Sequence, residues 1–348
     1  MTGWSCFPAR ALARCRRSRA VPNRRKANIL NTMRQYGYDQ GMQSSPFARR
    51  WLGVLVLAAA AGCSRTDSAP PVASVSVTLS RKAVALGGVL DLTYRFTVAP
   101  DAKIDGDYLV FVHFNREDGT PIWNDDHPLP DALRTSLWKP GQVVEYTHTR
   151  FVPTFSYIGP TTIEVGLYRD DERLPLAGPN PADRESPARA YRVASLELLP
   201  KSQRIQIIRL SGWHPAEFSE QNPVVDWQWT QKAATVSFVN PKRDATLFLE
   251  YDAKVDAFGG EPQQVTIFCR DERLGGFTAD AVVPTPVRIP IQAAQLGTGE
   301  MTELRLEVDR TFVPARLPNA GIDTRELGIR VFNIHVEPGA PQGGSNQE

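Results

Sequence analysis

The chain is 348 residues long, 42% hydrophobic, with four cysteines and a formal net charge of +2. The charge is unevenly spread: 11 of the 40 basic and 1 of the 38 acidic side chains precede residue 63, leaving 29 basic and 37 acidic groups, about −8, in the remainder. That remainder is unsuited to holding nucleic acid or anionic lipid through clustered Lys and Arg, and Cys269, its only cysteine beyond Cys63, allows no internal disulfide.

Residues 1–41 carry nine Lys or Arg, one acid in Asp39, and no sustained apolar period. A basic nucleic-acid arm would look similar, but an export signal follows, so this stretch is expected to be a mis-annotated leader upstream of a start at Met42. From Met42 the order is a short polar stretch, Arg49 and Arg50, and the apolar run LGVLVLAAAAG at 52–62. Eleven residues fall short of the ~20 a membrane-spanning helix needs, so residues 42–62 are read as a signal peptide. The small residues Ala60, Ala61 and Gly62 before Cys63 resemble the lipobox of bacterial lipoproteins, although Leu is usual where Ala60 stands. The resemblance implies acylation of Cys63 and a lipid anchor in the cell envelope. Ser64, in place of an aspartate that retains lipoproteins at the inner membrane, implies the outer membrane, on its periplasmic or surface side.

A linker at 63–72 leads into a first module at 73–199. Val75, Val77 and Leu79 alternate with Ser76 and Thr78, and Leu90, Leu92, Tyr94, Phe96 and Val98 alternate with Asp91, Thr93, Arg95 and Thr97. A period of two marks a strand with one buried face. Further strands are expected at 108–114, 143–151, 162–168 and 190–198, with turns at 117–120, 139–141 and 169–172. Six or so strands without a helical period predict an immunoglobulin-like sandwich. After a short linker at 199–202 the second module, 200–338, is expected to place strands at 204–210, 234–239, 245–253, 264–270, 287–291, 303–308 and 327–336. Its alternation, as in Leu304, Leu306 and Val308, predicts a jelly-roll-like sandwich. The fold class is therefore all-β with two sandwich domains, and the tail at 339–348 reads as disordered.

Two groups of motifs carry a resemblance. FVHFNREDGTPIWNDDHPLP, SLWKPGQVVEY and IEVGLYRDDERLPL, within 107–176, resemble a β-sandwich segment of accessory regions in bacterial envelope glycan proteins. GWHPAEF, VDWQWTQKAATVSF and DTRELGIRV resemble a β-sandwich region beside membrane glycosyltransferases. Both imply fold and cellular setting and assign no catalytic residue.

Catalytic signatures are absent from the sequence: there is no Gly-x-Ser-x-Gly elbow, Walker loop, His-Glu-x-x-His or Cys-x-x-Cys. Asp170 and Asp171 are neighbours in a turn, whereas glycoside hydrolysis needs carboxyls about 5–9 Å apart across a cleft. No catalytic residue is assigned, and the protein is expected not to be an enzyme. His113, His148 and His335 fall inside strand patterns and are expected to be structural. Asp118, Asn124, Asp125 and Asp126 beside His127 offer oxygen donors of the kind calcium takes. The spacing fits no EF-hand, and an Asp-rich loop is ordinarily a solvated turn, so no metal or other cofactor is assigned. Cys269 reads as a small buried hydrophobe.

Aromatic residues make the case for binding. Trp213, Trp227 and Trp229 fall within seventeen positions, with His214 and Glu217 nearby, and Trp123 and Trp138 flank a turn region of the first module. An indole face stacks on a sugar ring while neighbouring polar groups bond its hydroxyls; the competing reading is that Trp227 and Trp229, which share a phase, fill the core. Arg325 is placed to fork to Glu217 or Asp226, pinning the last strand or meeting a ligand. The candidate ligand-binding set is Trp213, His214, Glu217, Trp227, Trp229 and Arg325. The expected function is a non-catalytic envelope lipoprotein that binds or scaffolds glycan, with no nucleic-acid partner. The alternatives are a protein–protein scaffold and an enzyme acting on envelope polysaccharide.

Overall fold

The computed structural model describes residues 69–180, 188–220, 225–318 and 322–340. The leader, the signal peptide, Cys63, Ser64 and residues 341–348 of the tail lie outside the described residues. Apart from Ser219 and Glu220, all described residues belong to one unit. No helix among them is long and apolar enough to cross a membrane.

The first eleven strands are β1 (Ala73–Leu79), β2 (Ala83–Ala85), β3 (Val89–Val98), β4 (Leu109–Arg116), β5 (Pro121–Asn124), β6 (His127–Pro128), β7 (Val143–Phe151), β8 (Gly159–Arg169), β9 (Glu172–Arg173), β10 (Leu176–Ala177) and β11 (Tyr191–Leu199). They form two sheets, β10-β1-β3-β7 and β2-β11-β8-β4-β5, with β6 on β4 and β9 on β8. Separating β3 and β7 from β4, β8 and β11 is the immunoglobulin-type division of strands. The period of two in β3 explains its orientation: Leu90, Leu92, Tyr94 and Phe96 are fully buried between the sheets. Each such side chain contributes roughly 1.5–3 kcal/mol of burial. The alternate residues face outward and meet β7 in register, as Thr93 Oγ1 with Thr147 Oγ1 at 2.9 Å and Arg95 Nη1 with Glu145 Oε2 at 2.9 Å.

The second set is β12 (Ile208–Arg209), β13 (Glu217–Phe218), β14 (Asp226–Trp229), β15 (Ala233–Val239), β16 (Ala245–Asp252), β17 (Gln263–Cys269), β18 (Glu272–Ala279), β19 (Thr285–Ile291), β20 (Met301–Val308) and β21 (Arg330–Pro338). The sheets run β12-β15-β20-β17-β18 and β13-β14-β21-β16-β19. From β14 onward the chain changes sheet at every step except β17 to β18, which gives the wrapped double sheet of a jelly roll. Val236, Phe238, Leu247, Leu249, Ile267, Leu304, Leu306 and Val331 fill its core, and Cys269 is buried among them. The run at 204–210 is a strand only at Ile208–Arg209; Lys201–Gln203 forms a 3-10 turn before it. Its start is drawn toward the first sandwich, where Arg204 Nη1 donates to the Gly87 carbonyl at 3.0 Å.

The outer face of β16 and β21 is covered by the first sandwich. Phe248 packs on Val89 and Phe151. Arg288 bonds Asp91 at 2.9 Å and Thr149 at 2.7 Å, and Arg81 meets Glu337 at 2.7 Å. Glu250, 7% exposed, takes a bond from Asn333 at 2.6 Å and lies 4.0 Å from Arg150.

Candidate functional site

The jelly-roll edge gathers part of the residue set expected from sequence. β13 and β14 pair with Glu217 opposite Trp227. Trp227 Nε1 donates to Glu217 Oε2 at 3.0 Å, and Arg325 Nη1 sits 2.7 Å from Glu217 Oε1. Arg325 also forks onto Asp323, with Nε 3.0 Å from Oδ1 and Nη2 2.7 Å from Oδ2. The guanidinium holds the Asp323 carboxyl down at about 2. Arg325 thus pairs with Glu217 and Asp323, while Asp226, the other partner considered, is exposed.

The remaining members are committed elsewhere. Trp229 is 9% exposed and packs edge-on against Phe312, with centroids 5.7 Å apart, in a small cluster with Leu327. Its indole is core and offers no platform. Beside it the Arg330 guanidinium lies against Trp227, Trp229 and Phe332 at 4.9, 5.6 and 5.2 Å, tethered by the buried Asp252. His214 braces the loop: its ring bonds the Glu326 carbonyl at 2.8 Å and its own carbonyl accepts from Gln228. Trp213 is fixed apart from these, donating to Thr235 O at 2.8 Å under Arg209. In the first sandwich Trp123 stacks on Phe114 at 4.2 Å and Trp138 donates to Leu133 O, so both serve its core.

The segment that carries Arg325 also borders a shallow groove of about 610 Å³ that the sequence did not reveal. Phe258, Phe312 and Leu317 give it an apolar floor, and Thr311, Arg316, Thr324 and Glu326 a polar rim. Phe258 comes from the short 3-10 turn Val255–Phe258 after β16, more than fifty residues upstream of the rest. At the opposite end of β13, Phe218 is 60% exposed.

A second constellation lies inside the first sandwich. Asp125, His127 and His148 each bring one donor atom to within 4.8 Å of the others. The calcium-type loop considered from sequence does not close. Asp118 Oδ1 accepts from Thr120 N within its own turn, and Asp126 Oδ1 accepts from Val112 N. Asp125 alone turns inward, 2% exposed, because it follows the last residue of β5 and leads into β6, whose His127 faces the core. His148 joins from β7, where Val144, Tyr146, His148 and Arg150 share the inward phase opposite exposed Glu145 and Thr147. The His127 and His148 rings stack 4.0 Å apart, and Tyr146 hydroxyl sits 2.9 Å from His127 Nε2. Burial raises the Asp125 carboxyl to about 6 against the opposing pull of Arg150. Burial also lowers His127 to about 4 and His148 to about 2, so both imidazoles are neutral near pH 7. No local sequence signal joins His148 to a loop twenty residues earlier; only the pairing of sheet faces does.

No protein-family model matches the chain, and no curated protein matches it. Among solved structures, one similar chain is the Pseudomonas fluorescens alkylpurine DNA glycosylase AlkC bound to DNA containing an abasic site analog (TM-score 0.25, 14% identity, 37% of this chain and 30% of that chain). Another is the Bacteroides uniformis beta-glucuronidase (TM-score 0.26, 11% identity, 76% of this chain and 30% of that chain). A third is the M60 catalytic domain with the CBM51-1 and CBM51-2 domains from Clostridium perfringens ZmpB (TM-score 0.19, 9% identity, 71% and 34%). The chain spans about a third of the length of each, and likenesses at these TM-scores carry no argument about fold or activity.

Proposed function

We propose that this protein is a non-catalytic lipoprotein of the bacterial cell envelope, anchored through acyl groups on Cys63 at the outer membrane, whose jelly roll binds glycan. The supporting observation is the groove beneath the Arg325 segment, where the Phe258 ring and Leu317 lie beside the Thr311, Arg316, Thr324 and Glu326 side chains. An apolar ring face with hydroxyl, guanidinium and carboxylate groups at its rim matches the two sides of a pyranose, its C–H face and its hydroxyls. This moves the proposed contact from the tryptophans to Phe258 and Arg316. Several acyl chains give stable anchoring where one gives marginal binding.

The test is a glycan array probed with the full chain and with Phe258→Ala and Arg316→Ala. Binding that both variants lose while their melting stays that of wild type supports the reading; binding unchanged in both overturns the site. Mass spectrometry of the mature N-terminus tests the anchor, and an unmodified chain beginning at Met1 overturns it.

A second reading, a protein-binding scaffold, is favoured by one observation. Ile208 and Leu210, at the edge strand β12, and Val239 and Met301, paired at the ends of the neighbouring β15 and β20, are 46%, 47%, 59% and 46% exposed. Contiguous exposed apolar side chains at a sheet edge are a feature of association surfaces.

A further inference from the structure

We propose that Asp125, His127 and His148 form a binding site for a divalent transition-metal ion of the zinc class, with Asp125 Oδ2, His127 Nε2 and His148 Nε2 as ligands. Two imidazole nitrogens and one carboxylate oxygen are the donor set of zinc and its neighbours, whereas calcium and magnesium take oxygen. The site replaces the sequence expectation that no metal is bound.

Three observations carry it. The first is distance. Ligand bonds of about 2.1 Å in a tetrahedral site place neighbouring donor atoms about 3.4 Å apart. Asp125 Oδ2 and His148 Nε2 are 3.6 Å apart, and one donor atom from each of the three residues falls within 4.8 Å of the others. The His127 and His148 rings stack 4.0 Å apart and nearly parallel, so they must turn relative to each other for both Nε2 lone pairs to meet one ion. The second is satisfaction. Asp125 is 2% exposed, yet its Oδ2 and the buried His148 Nε2 have no hydrogen-bond partner among the described residues. Native proteins rarely leave two such buried atoms unbonded, since each then bears its desolvation penalty uncompensated. A bound cation satisfies both at once.

The third is the surrounding shell. His127 Nδ1 lies 2.8 Å from the Asp125 carbonyl, which can only accept, so the ring proton sits on Nδ1 and the lone pair on Nε2. That is the arrangement in which a ligating histidine is oriented by a backbone carbonyl. Tyr146 hydroxyl, 2.9 Å from His127 Nε2, yields this nitrogen to an ion by rotating its proton away. Arg150 Nε approaches Asp125 at Oδ1, at 2.7 Å, and leaves Oδ2 facing the histidines. The guanidinium opposes a cation, but Glu250, 4.0 Å from Arg150 Nη1, offsets it, so Asp125, Arg150 and Glu250 together carry one net negative charge. His148 keeps 27% of its side chain exposed, which gives an ion a way in.

The full chain, stripped with a chelator, is titrated with Zn²⁺ and separately with Co²⁺. The expected result is a single Zn²⁺ per chain by elemental analysis and a rise in melting temperature. With Co²⁺, visible ligand-field bands appear without a thiolate charge-transfer band. His148→Gln, at the partly exposed position, and His127→Gln weaken binding by more than about tenfold. Cys269→Ser leaves it unchanged, which separates the site from a thiol. No ion on the wild-type chain, or full retention in both histidine variants, overturns the site. Should either histidine variant unfold, the wild-type Co²⁺ spectrum still decides: a sulfur charge-transfer band, or none of the ligand-field bands, overturns it.

Discussion

Replacing Trp229 by Ala separates core from ligand platform. The side chain is 9% exposed, lies edge-on to Phe312 at 5.7 Å and flanks Arg330 at 5.6 Å. Truncating a buried aromatic to Ala costs about 3–5 kcal/mol, from lost transfer energy and the cavity left behind. The cation–π contact adds only about 0.5–1 kcal/mol at a partly exposed site, and less here, because Trp227 and Phe332 still flank Arg330. For a cooperative unit of this size each 1 kcal/mol moves the midpoint by about 2–4 °C, so Trp229→Ala is expected to melt roughly 6–20 °C below wild type. Trp227→Ala, half-buried with a single bond to Glu217, is expected to lose about 1–2 kcal/mol. Calorimetric melts of the purified chain check both. A Trp229→Ala midpoint within about 2 °C of wild type would refute the placement of this residue in the core.

Gly212→Ala is expected to destabilise by at least about 1–3 kcal/mol in urea unfolding. Gly212 has φ +78°, and a Cβ there would meet the Ala233 carbonyl oxygen at 1.9 Å, a backbone atom with no room to move. The Asp323–Arg325 pair gives a pH dependence with a definite sign. Because the folded carboxyl is held at about 2, below its unfolded value, its contribution is complete above about pH 4 and is lost as pH falls through 2. With both side chains about a third exposed, at 35% and 32%, the effect stays below about 1 kcal/mol. Asp323→Asn removes that part of the acid limb in urea midpoints followed from about pH 5 to pH 2.

The strands with one solvated face were legible where outward positions carry polar residues, as β3 does with Asp91, Thr93, Arg95 and Thr97; β7 spans Val143–Phe151 as expected, with Glu145, Thr147 and Thr149 outward between the apolar Val143 and Phe151. β18 was not among the expected strands, because Gly275 and Gly276 interrupt its pattern. The second allows close pairing with β17, since a Cβ on Gly276 would lie 2.4 Å from the Val265 carbonyl. β14 escaped notice because it is only four residues long: Asp226 and Gln228 alternate with Trp227 and Trp229, but two periods are too few to mark a strand, and Trp229 packs on Phe312 from outside the sheet. The sites follow the same logic. Glu217 and Arg325 were paired correctly because both carry charge at the ends of short patterned segments. Phe258 and His148 were not, because each reaches its partners through sheet packing across stretches of chain with no local signature.

One connection has a mechanical meaning. β2 leaves the sheet of β1 and pairs parallel with β11 at Ala83–Glu197, Val84–Leu198 and Ala85–Leu199, directly before the chain enters the second sandwich. Once β1 is stripped from β3 and β10, a pull between residue 72 and residue 200 loads these bonds along the strand axes, in shear. They must then yield together, where a hairpin pulled from its open end would give way one pair at a time. If tension reaches this chain through its N-terminal side, the first sandwich resists it at the short β2–β11 seam, and Ala83, Val84 and Ala85 set the force at which it opens.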